Sequence, residues 1–334
     1  MSATRILTII LNYKTPEMTL KSAAAAVREM RSLGGEVVIV DNASADGSVD
    51  RLRTAIAANG WSDTVRLVES PVNGGYGAGN NLGMRQGMSD GSAPDFYYLL
   101  NSDAWPDPGA VAALLQVMQN EPCAGMAGSH IRGEDGVAHT TLFRFPTIAG
   151  EFEGAARLGV ITRLFRHAVI PMDIPDETTP VDWTAGASLM VRRTMLDEIG
   201  PFDETFFLYY EETELCHRAQ QAGWQVFYVP ESRVEHVGSA STGLKAWDRT
   251  PPYWFAARRH YFRKVHGRAY AAAATSARVA GGLLWRLRRL VSPRPLGDPP
   301  MFLRDLIAHS LKPAPRTETA RAPISRHPVP EESK

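Results

Sequence analysis

Short apolar runs alternate with amphipathic stretches through the first hundred residues. Four runs predict strands, at residues 6–11, 36–40, 64–70 and 96–100, and the first of them has the pattern of a strand buried on both faces. Between them, the periodicity predicts helices over 15–33 and 49–59, and a further helix start within 80–87. This alternation predicts an α/β fold with a mostly parallel central sheet flanked by helices. Ligands bind such sheets at the carboxyl ends of the strands.

The pattern changes in the second half of the chain. Residues 110–120 predict a helix, whereas the signal over 121–180 is too weak to assign elements. Beyond them we predict strands at 187–191 and 225–229, helices at 193–199 and 211–222, and basic helices at 253–266 and 269–291. The predicted organisation is one domain over 1–240 with halves 1–110 and 111–240, a basic helical C-terminal extension over 241–310, and a disordered tail over 311–334.

Charge and cysteine content narrow the classes of partner and compartment. The formal net charge is zero, which argues against a nucleic acid partner. The basic residues gather after residue 244, beside Trp and Leu in "LLWRLRRLV". That segment is predicted either to bind an anionic membrane surface or to be an ordinary packed helix with a solvated basic face.

Cys123 and Cys216 are the only cysteines and lie far apart, so a reducing compartment is expected. No apolar stretch is long enough to predict a membrane span.

Polar or glycine-rich residues follow each of the first four predicted strands. Asn12 follows the first strand, Asp41 the second, the run "NGGYGAGN" the third, and "NSD" at 101–103 the fourth. Parallel strands place these ends on one edge of the sheet. Glycine lets backbone amides approach a ligand closely. The spacing of Gly77, Gly79 and Gly83 misses the dinucleotide-binding fingerprint by one residue.

Two aspartates carry alternative interpretations. Asp41 can accept the imide N–H of a uracil or thymine ring, or it can be a turn residue beside Asn42 and Ser44, which would cap the next helix. Asp103 can bind Mg²⁺ or Mn²⁺ and so bridge to substrate phosphates, or it can be a turn residue. The residues around each one leave both interpretations open.

An acidic cluster opens the predicted helix at 211–222. Glu211, Glu212 and Glu214 follow several aromatic residues in "FFLYYEETEL". A carboxyl group among aromatics can have a raised pKa and act as a general base. Acids at a helix start also stabilise the helix through its dipole. His236 in "VEHVGS" is either a second metal ligand or an ordinary loop histidine.

Taken together, the motifs resemble the inverting family 2 glycosyltransferases of GT-A fold, and within them the rhamnosyltransferase-type branch. The matching stretches are "ILNYKTPE", "VVIVDNASADGS", "NGGYGAGNNLG", "YYLLNSDAWPDPGAV", "GPFDETFFLYYEETELCHRAQQAGW" and "VEHVGS". They cover most of residues 5–240. The resemblance implies that 1–110 is a nucleotide-binding half and 111–240 an acceptor and catalytic half.

The resemblance also implies roles for single residues. Asp103 corresponds to the metal-binding acid of an Asp-x-Asp motif whose first position is Asn101, and His236 completes metal binding. Glu212 corresponds to the catalytic base, with Glu211 as the alternative. Asp41 would read the pyrimidine base. The implied nucleotide-sugar-binding residues are Asn12, Asp41, Asn73, Gly74, Gly75, Asn80, Ser102, Trp183 and Gly186.

The activity implied by the resemblance is sugar transfer with inversion. The donor would be a dTDP- or UDP-linked sugar, rhamnose or another hexose, and the acceptor a hydroxyl of a glycan or polyprenyl-linked molecule in cell-surface polysaccharide synthesis. A divalent metal, Mg²⁺ or Mn²⁺, would be the cofactor. The location would be cytoplasmic, peripheral at the inner face of the plasma membrane. The alternatives are a nucleotidyltransferase acting on sugar phosphates and a catalytically inactive nucleotide-sugar-binding protein. Two departures from the family pattern would favour the inactive protein: Asn101 replaces an Asp, and Glu212 stands where the family's base is most often Asp.

Overall fold

The computed structural model describes residues 4–238, 248–292 and 297–312. Its strands are β1 Ile6–Asn12, β2 Glu36–Asp41, β3 Val65–Glu69, β4 Phe96–Asn101, β5 Ala104–Pro106, β6 Ala124–Arg132, β7 Ala138–His139, β8 Leu142–Phe143, β9 Thr179–Val181, β10 Trp183–Thr184, β11 Ser188–Arg192 and β12 Gln225–His236. Its α-helices are α1 Pro16–Leu33, α2 Ser48–Ala58, α3 Gly75–Met84, α4 Ala110–Asn120, α5 Ile148–Ala156, α6 Gly159–Leu164, α7 Arg193–Ile199, α8 Glu211–Gln221, α9 Pro252–His266, α10 Arg268–Val291 and α11 Phe302–Leu311.

One large sheet forms the centre of the molecule, in the order β3-β2-β1-β4-β11-β6-β12-β5. The first four strands are parallel to one another, as their alternation with helices predicts. β11 is antiparallel to both of its neighbours, β4 and β6. β12 is parallel to β6 and antiparallel to the short β5. The predicted fold class, a mostly parallel α/β sheet flanked by helices with a helical C-terminal extension, is confirmed.

The glycine-rich run folds as a helix rather than as a loop. α3 begins at Gly75, several residues before the predicted start within 80–87, so that prediction was wrong. The glycines allow α3 to lie against its neighbours: a β-carbon at Gly79 would collide with Leu11, and one at Gly83 with Ile9. Their small size therefore serves close packing of α3 on β1.

The region 121–180 has regular structure that its sequence pattern did not reveal. It contains the nine-residue strand β6, the helix α5 and several elements of two or three residues. β6 lies between β11 and β12, and it begins with small residues in "AGMAGS" rather than with a branched apolar run. Short elements and small residues give too little periodicity for a sequence-based assignment.

The C-terminal helices pack on the rest of the chain through small residues and a buried ion pair. A β-carbon at Gly281 of α10 would collide with the backbone of α5 at Phe152. Arg258 of α9 is 2% exposed and donates to Glu151 of α5 at 2.9 Å. Arg278 of α10 lies 3.3 Å from the same carboxylate. Removing one partner of such a buried group is strongly destabilising.

The two basic segments of the C-terminal extension differ in their surroundings. In the first, Tyr261 and Phe262 are buried, so packing explains the apolar character of α9. In the second, the end of α10 exposes Leu287, Leu290 and Val291.

Within the described ranges, no helix combines the length and apolarity needed to cross a membrane. The predicted domain bounds stay predictions, and the predicted disordered tail lies almost wholly outside the described residues.

Candidate active site

Asp41 lies at the end of β2, opposite Asn12 at the end of β1. Its carboxylate accepts hydrogen bonds from the Asn12 amide at 2.7 Å and from the Ser44 hydroxyl at 2.6 Å. The backbone N–H of Ser44 donates to the second oxygen, Oδ2, at 3.0 Å. A carboxylate oxygen can accept more than one hydrogen bond, so Oδ2 has capacity for a further donor such as an imide N–H.

Asn42 and Ser44 do not cap α2, as the turn interpretation of Asp41 required. α2 begins at Ser48, and Asp46 accepts from the Ser48 backbone at 3.0 Å. Asn42 instead reaches across the sheet edge and donates to the Asn73 side chain at 2.9 Å and to the Gly75 carbonyl at 3.2 Å. The residues after β2 therefore hold the start of α3.

Asn73, Gly74 and Gly75, which were predicted near the nucleotide, meet Asn42 at this edge. The Asn73 side chain accepts from the Gly75 backbone at 3.1 Å, and the Gly74 backbone donates to Asn42 at 3.3 Å. Asn80 is 1% exposed and donates to the Tyr76 carbonyl at 3.0 Å, within α3. Ser102 accepts from the Thr15 hydroxyl at 3.2 Å.

Asp103 and His236 meet although they are distant in sequence. β12 pairs with β5 so that His236 lies opposite Ala104, the residue after Asp103. His236 Nε2 lies 3.1 Å from Asp103 Oδ1 and 3.4 Å from the Asn101 side-chain nitrogen. The Asp103 side chain is 7% exposed and that of His236 18%. The antiparallel register of β5 and β12 thus creates a carboxylate–imidazole pair.

This pair fits a divalent cation bound largely through other ligands. Two donors in adjacent positions around Mg²⁺, each about 2.1 Å away, lie about 3 Å apart, close to the observed separation. Among the described residues no group of three or more His, Cys, Asp or Glu side chains is placed to hold a metal. Mg²⁺ commonly takes one or two protein ligands and completes its shell with substrate phosphates and water.

Glu211 and Glu212 form a second acidic pair at the start of α8. Glu211 is 2% exposed, and Glu212 is half-buried. In each, the Oε2 atom is buried without a hydrogen-bond partner in the described structure. Glu214 differs, because its Oε1 accepts from Arg218 at 2.7 Å and pairs with Lys264 at 2.9 Å. Glu214 Oε2 likewise has no hydrogen-bond partner in the described structure, so what sets Glu214 apart is its pairing with two cationic side chains.

The environment separates the two acids. Burial raises the pKa of Glu211 well above its usual range, and the charge of Glu212 raises it further. Burial also raises the pKa of Glu212, whereas its own backbone N–H and that of Gly186 lower it. The pKa values of both neighbouring carboxyl groups are thus raised. Of the two, Glu212 is the one whose ionised form is also favoured by the backbone N–H of another residue, Gly186. A base must be ionised to accept a proton, so this contact favours Glu212.

Gly186 connects the acidic pair to the metal-ligand candidates. Its backbone N–H points to Glu212, and its carbonyl accepts from the Tyr76 hydroxyl at 2.6 Å. The next residue, Ala187, accepts from the Asn101 backbone at 3.0 Å, which ties this segment to the end of β4. A β-carbon at position 186 would lie 2.6 Å from the Tyr76 oxygen. Glycine is therefore required sterically between the acidic pair and α3.

Trp183 lies in the small β8–β10 sheet. Its ring stacks on Phe143 at a centroid distance of 4.2 Å, and its indole N–H donates to the Arg144 carbonyl at 3.0 Å. Its N–H is thus already engaged, so any contact of Trp183 with a sugar has to use the ring.

Strained backbone concentrates at this site. Among the described non-glycine residues with left-handed φ values, Lys14, Ala43 and Ala45 lie beside Asp41, and Tyr209 and Tyr210 precede Glu211, while Arg157 and Met301 belong to other parts of the chain. Such values cost free energy in residues other than glycine and accompany functional sites. Nothing in the sequence predicted them, since none of these residues favours that conformation. Tyr76 was missed too, because its role depends on contacts distant in sequence.

Comparison with known proteins identifies the family of the chain. The pattern of the family described as "Glycosyl transferase family 2" matches residues 7–192, more than half of the chain. The chain therefore belongs to glycosyl transferase family 2, which confirms the predicted family. It is thus a glycosyltransferase.

The chain is also rhamnosyltransferase-like. It is 32% identical over 253 residues to the N-acetylglucosaminyl-diphospho-decaprenol L-rhamnosyltransferase of Mycobacterium tuberculosis, which covers 72% of this chain and 78% of that relative. Over 165 residues it is 25% identical to the rhamnosyltransferase WbbL of Escherichia coli, which covers 48% of this chain and 60% of the relative.

Solved structures share the GT-A fold with this chain. The mannosyltransferase PcManGT from Pyrobaculum calidifontis, solved with GDP-Man and Mn²⁺, aligns over 92% of this chain and 86% of its own at a TM-score of 0.56 and 17% identity. TarS residues 1–349 from S. aureus, solved with UDP-GlcNAc, align over 92% of this chain and 79% of their own at a TM-score of 0.55 and 12% identity. At these identities the likeness concerns the fold alone.

The raised pKa of Glu212 predicts a pH dependence of the transferase reaction. Protonation of a base removes its activity, so kcat/KM should rise with pH along a limb above the ordinary glutamate value of about 4.3. We expect this limb in initial-rate measurements between about pH 4.5 and 8 at saturating donor. Circular dichroism at each pH controls for unfolding. Activity that is constant down to pH 4.5 would contradict the raised pKa.

Proposed function

We propose that the chain transfers L-rhamnose or another hexose from a dTDP- or UDP-linked donor to a hydroxyl of a polyprenyl-linked sugar acceptor, with inversion at the anomeric carbon. This reaction would be a step of cell-surface polysaccharide synthesis. The observation that carries the proposal is the Glu211–Glu212 pair, in which each Oε2 is buried without a hydrogen-bond partner in the described structure. The segment at Gly186 links this pair to the edge of the sheet where Asp103 and His236 meet. The lipid-linked acceptor follows the name of the mycobacterial relative.

The nucleotide would bind at the ends of β1 and β2. Asp41 Oδ2 would accept the imide N–H of the pyrimidine, a group that uracil and thymine share, while Asn12 and Ser44 hold the carboxylate in place. Asn73, Gly74 and Gly75 would line the path from the nucleoside to the sugar. Because the imide edge is common to both bases, Asp41 accepts either nucleotide.

The transfer step uses Glu212 as the general base. Its carboxylate takes the proton of the acceptor hydroxyl while that oxygen forms a bond to the anomeric carbon of the donor. The bond between this carbon and the diphosphate oxygen breaks, and its electron pair leaves with the nucleoside diphosphate. Attack from the face opposite the leaving group inverts the configuration. Burial favours the protonated form of Glu211, which would place no second charge beside Glu212.

Asp103 and His236 would hold the divalent metal, Mg²⁺ or Mn²⁺. When bound, the metal neutralises charge on the leaving diphosphate. Asn101 is uncharged, so the proposed site has two protein ligands, of which only Asp103 is a carboxylate. We expect this site to bind metal firmly only with the diphosphate present.

A donor and acceptor screen tests the proposed function. Purified protein is incubated with Mn²⁺, dTDP-L-rhamnose, UDP-hexoses or UDP-N-acetylhexosamines, and decaprenyl-diphospho-N-acetylglucosamine, and the lipid product is weighed by mass spectrometry. We expect a mass increase of one deoxyhexose or hexose with a single donor. Donor binding by thermal shift without any transfer would instead favour the inactive nucleotide-sugar-binding alternative.

We further propose that the chain works at the cytoplasmic face of an anionic membrane. Most of the large apolar side chains exposed within the described residues lie on α6, α10 and α11. On α10 they form one stripe: Leu283, Leu287, Leu290 and Val291. Arginines that are partly or fully exposed lie on these three helices or directly after them: Arg163 on α6, Arg166 after α6, Arg288 on α10 and Arg304 on α11. Apolar side chains with basic neighbours suit an interface with anionic lipids. Both cysteines are free, in keeping with a reducing compartment.

Vesicle flotation tests this membrane surface. The full chain should float with vesicles containing phosphatidylglycerol and stay behind with phosphatidylcholine alone. Leu287→Glu with Leu290→Glu should reduce flotation by about tenfold or more, since each change removes apolar contact and adds repulsion. Val137→Glu, which changes an apolar residue 57% exposed in the turn between β6 and β7, is the matched control. Equal flotation of the double variant and the control would contradict the assignment.

A further inference from the structure

Three aromatic side chains form a partly exposed surface beside the acidic pair. Phe207 is 39% exposed, and Tyr209 and Tyr253 are each half-exposed. The Tyr253 ring lies 5.4 Å from the ring of Phe207 and 6.3 Å from that of Tyr209, measured between centroids. The Tyr209 and Tyr253 rings are nearly parallel, at 20°. We call Phe207, Tyr209 and Tyr253 the aromatic platform.

The platform is fixed to the proposed donor site at one end. The Phe207 carbonyl accepts from the Tyr76 backbone at 3.0 Å. A β-carbon at Gly75 would overlap the Phe207 backbone, so these two segments are in direct contact. The φ of Gly75 is +86°, a value that favours glycine. The main chain of Phe207 is thus held by the start of α3 while its ring stays partly exposed.

At its other end the platform leads into the acidic pair. Tyr209 and Tyr210 both have φ of 71°, and Glu211 follows directly. The Tyr210 ring packs against Tyr261 at 5.4 Å and against Trp254 at 6.1 Å. This packing fixes the strained turn from inside the fold. The platform therefore lies between the proposed donor site and the proposed base, where an acceptor has to bind.

We propose that the aromatic platform binds the pyranose ring of the acceptor and presents its hydroxyl to Glu212. This inference rests on the proposed function. Aromatic faces provide apolar contact area for the C–H face of a sugar, and a neighbouring carboxylate matches the hydroxyls at its edge. A prenyl chain has no hydrogen-bond donor to offer to the adjacent carboxylates, so the platform suits the sugar better. The exposed apolar stripe of α10 is the surface with the chemistry for that chain.

The platform includes one residue from the first turn of α9. Tyr253 is the second residue of α9. α9 is anchored to the catalytic half by Lys264, which pairs with Asp203 at 2.7 Å and with Glu214 at 2.9 Å. The C-terminal extension thus contributes an acceptor-contacting residue.

Steady-state kinetics on the full chain tests the platform. For Tyr253→Ala, the KM for decaprenyl-diphospho-N-acetylglucosamine should rise about tenfold, as expected for one lost aromatic contact, with kcat changed less. Phe207→Ala should act in the same direction, because only its main chain holds α3. Tyr253→Phe keeps the ring and should restore most of the acceptor affinity that Tyr253→Ala loses. The KM for the donor and its slow hydrolysis by water should stay unchanged in all three variants.

The outcomes separate this inference from the proposed function. Transfer by the wild type with an unchanged acceptor KM in both alanine variants would overturn the platform alone. A parallel loss of donor binding would also overturn it, since the rings would then support the fold or the donor. A wild type that turns over none of the donors would overturn the proposed function and the acceptor site with it. Melting temperatures of the variants check that the fold is intact.

Discussion

Glu212→Gln should abolish sugar transfer while donor binding remains close to that of the wild type. The change removes the proton acceptor but keeps the size and polarity of the side chain. A general base contributes about 10²- to 10⁴-fold, so a loss of kcat in that range is expected. The donor does not need the base to bind, so its affinity, measured by calorimetry with Mn²⁺ present, should change little.

Glu211→Gln is the matched control for this experiment. Burial and the Glu212 charge favour the protonated form of Glu211, and a neutral amide resembles a protonated acid in shape and charge. We therefore expect Glu211→Gln to retain activity within about tenfold of the wild type. The reverse pattern, with Glu211→Gln inactive and Glu212→Gln active, would exchange the roles of the two residues.

Asp103→Ala should remove metal-dependent donor binding. Asp103 is the charged member of the proposed ligand pair, and His236 alone would leave a single neutral ligand. Metal stabilisation of a leaving diphosphate is worth several kcal/mol, so kcat/KM should fall by at least about 100-fold. Donor affinity is measured with Mn²⁺ and again with EDTA. Equal affinities of Asp103→Ala and the wild type in Mn²⁺ would contradict the metal role.

Asn101→Asp provides the complementary variant. It adds a carboxylate at the strand end, where the Asn101 side-chain nitrogen now lies 3.4 Å from His236. The added charge should lower the Mn²⁺ concentration that gives half-maximal activity, because a second acid strengthens binding of a divalent cation. An unchanged or higher requirement would mean that the metal lies away from Asn101.

The sequence was most informative where chemistry and buried strands coincide. β1, β2 and β4 are continuous apolar runs, so their ends could be located, and with them Asn12, Asp41 and Asp103. The order of parallel strands then places these residues on one edge. The resemblance to the family added predicted roles for Glu212 and His236, which periodicity does not provide.

Other parts of the site depend on tertiary contacts and could not be predicted. The glycine run favours a flexible loop by its composition, yet packing on Leu11 and Ile9 makes it a helix. The left-handed tyrosines at 209 and 210 go against local preference. Tyr210 packs against Trp254 and Tyr261, which lie more than forty residues later. The pairing of Asp103 with His236 depends on the register of the three-residue strand β5.

The most direct test of the proposed reaction is the anomeric configuration of the product. The wild type is incubated with the donor that supports transfer and with decaprenyl-diphospho-N-acetylglucosamine, and the new linkage is assigned by NMR. Inverting transfer with Glu212 as the base predicts a configuration opposite to that of the donor, and no product from Glu212→Gln. Retention of the donor configuration, or the same product from Glu212→Gln at the wild-type rate, would contradict it.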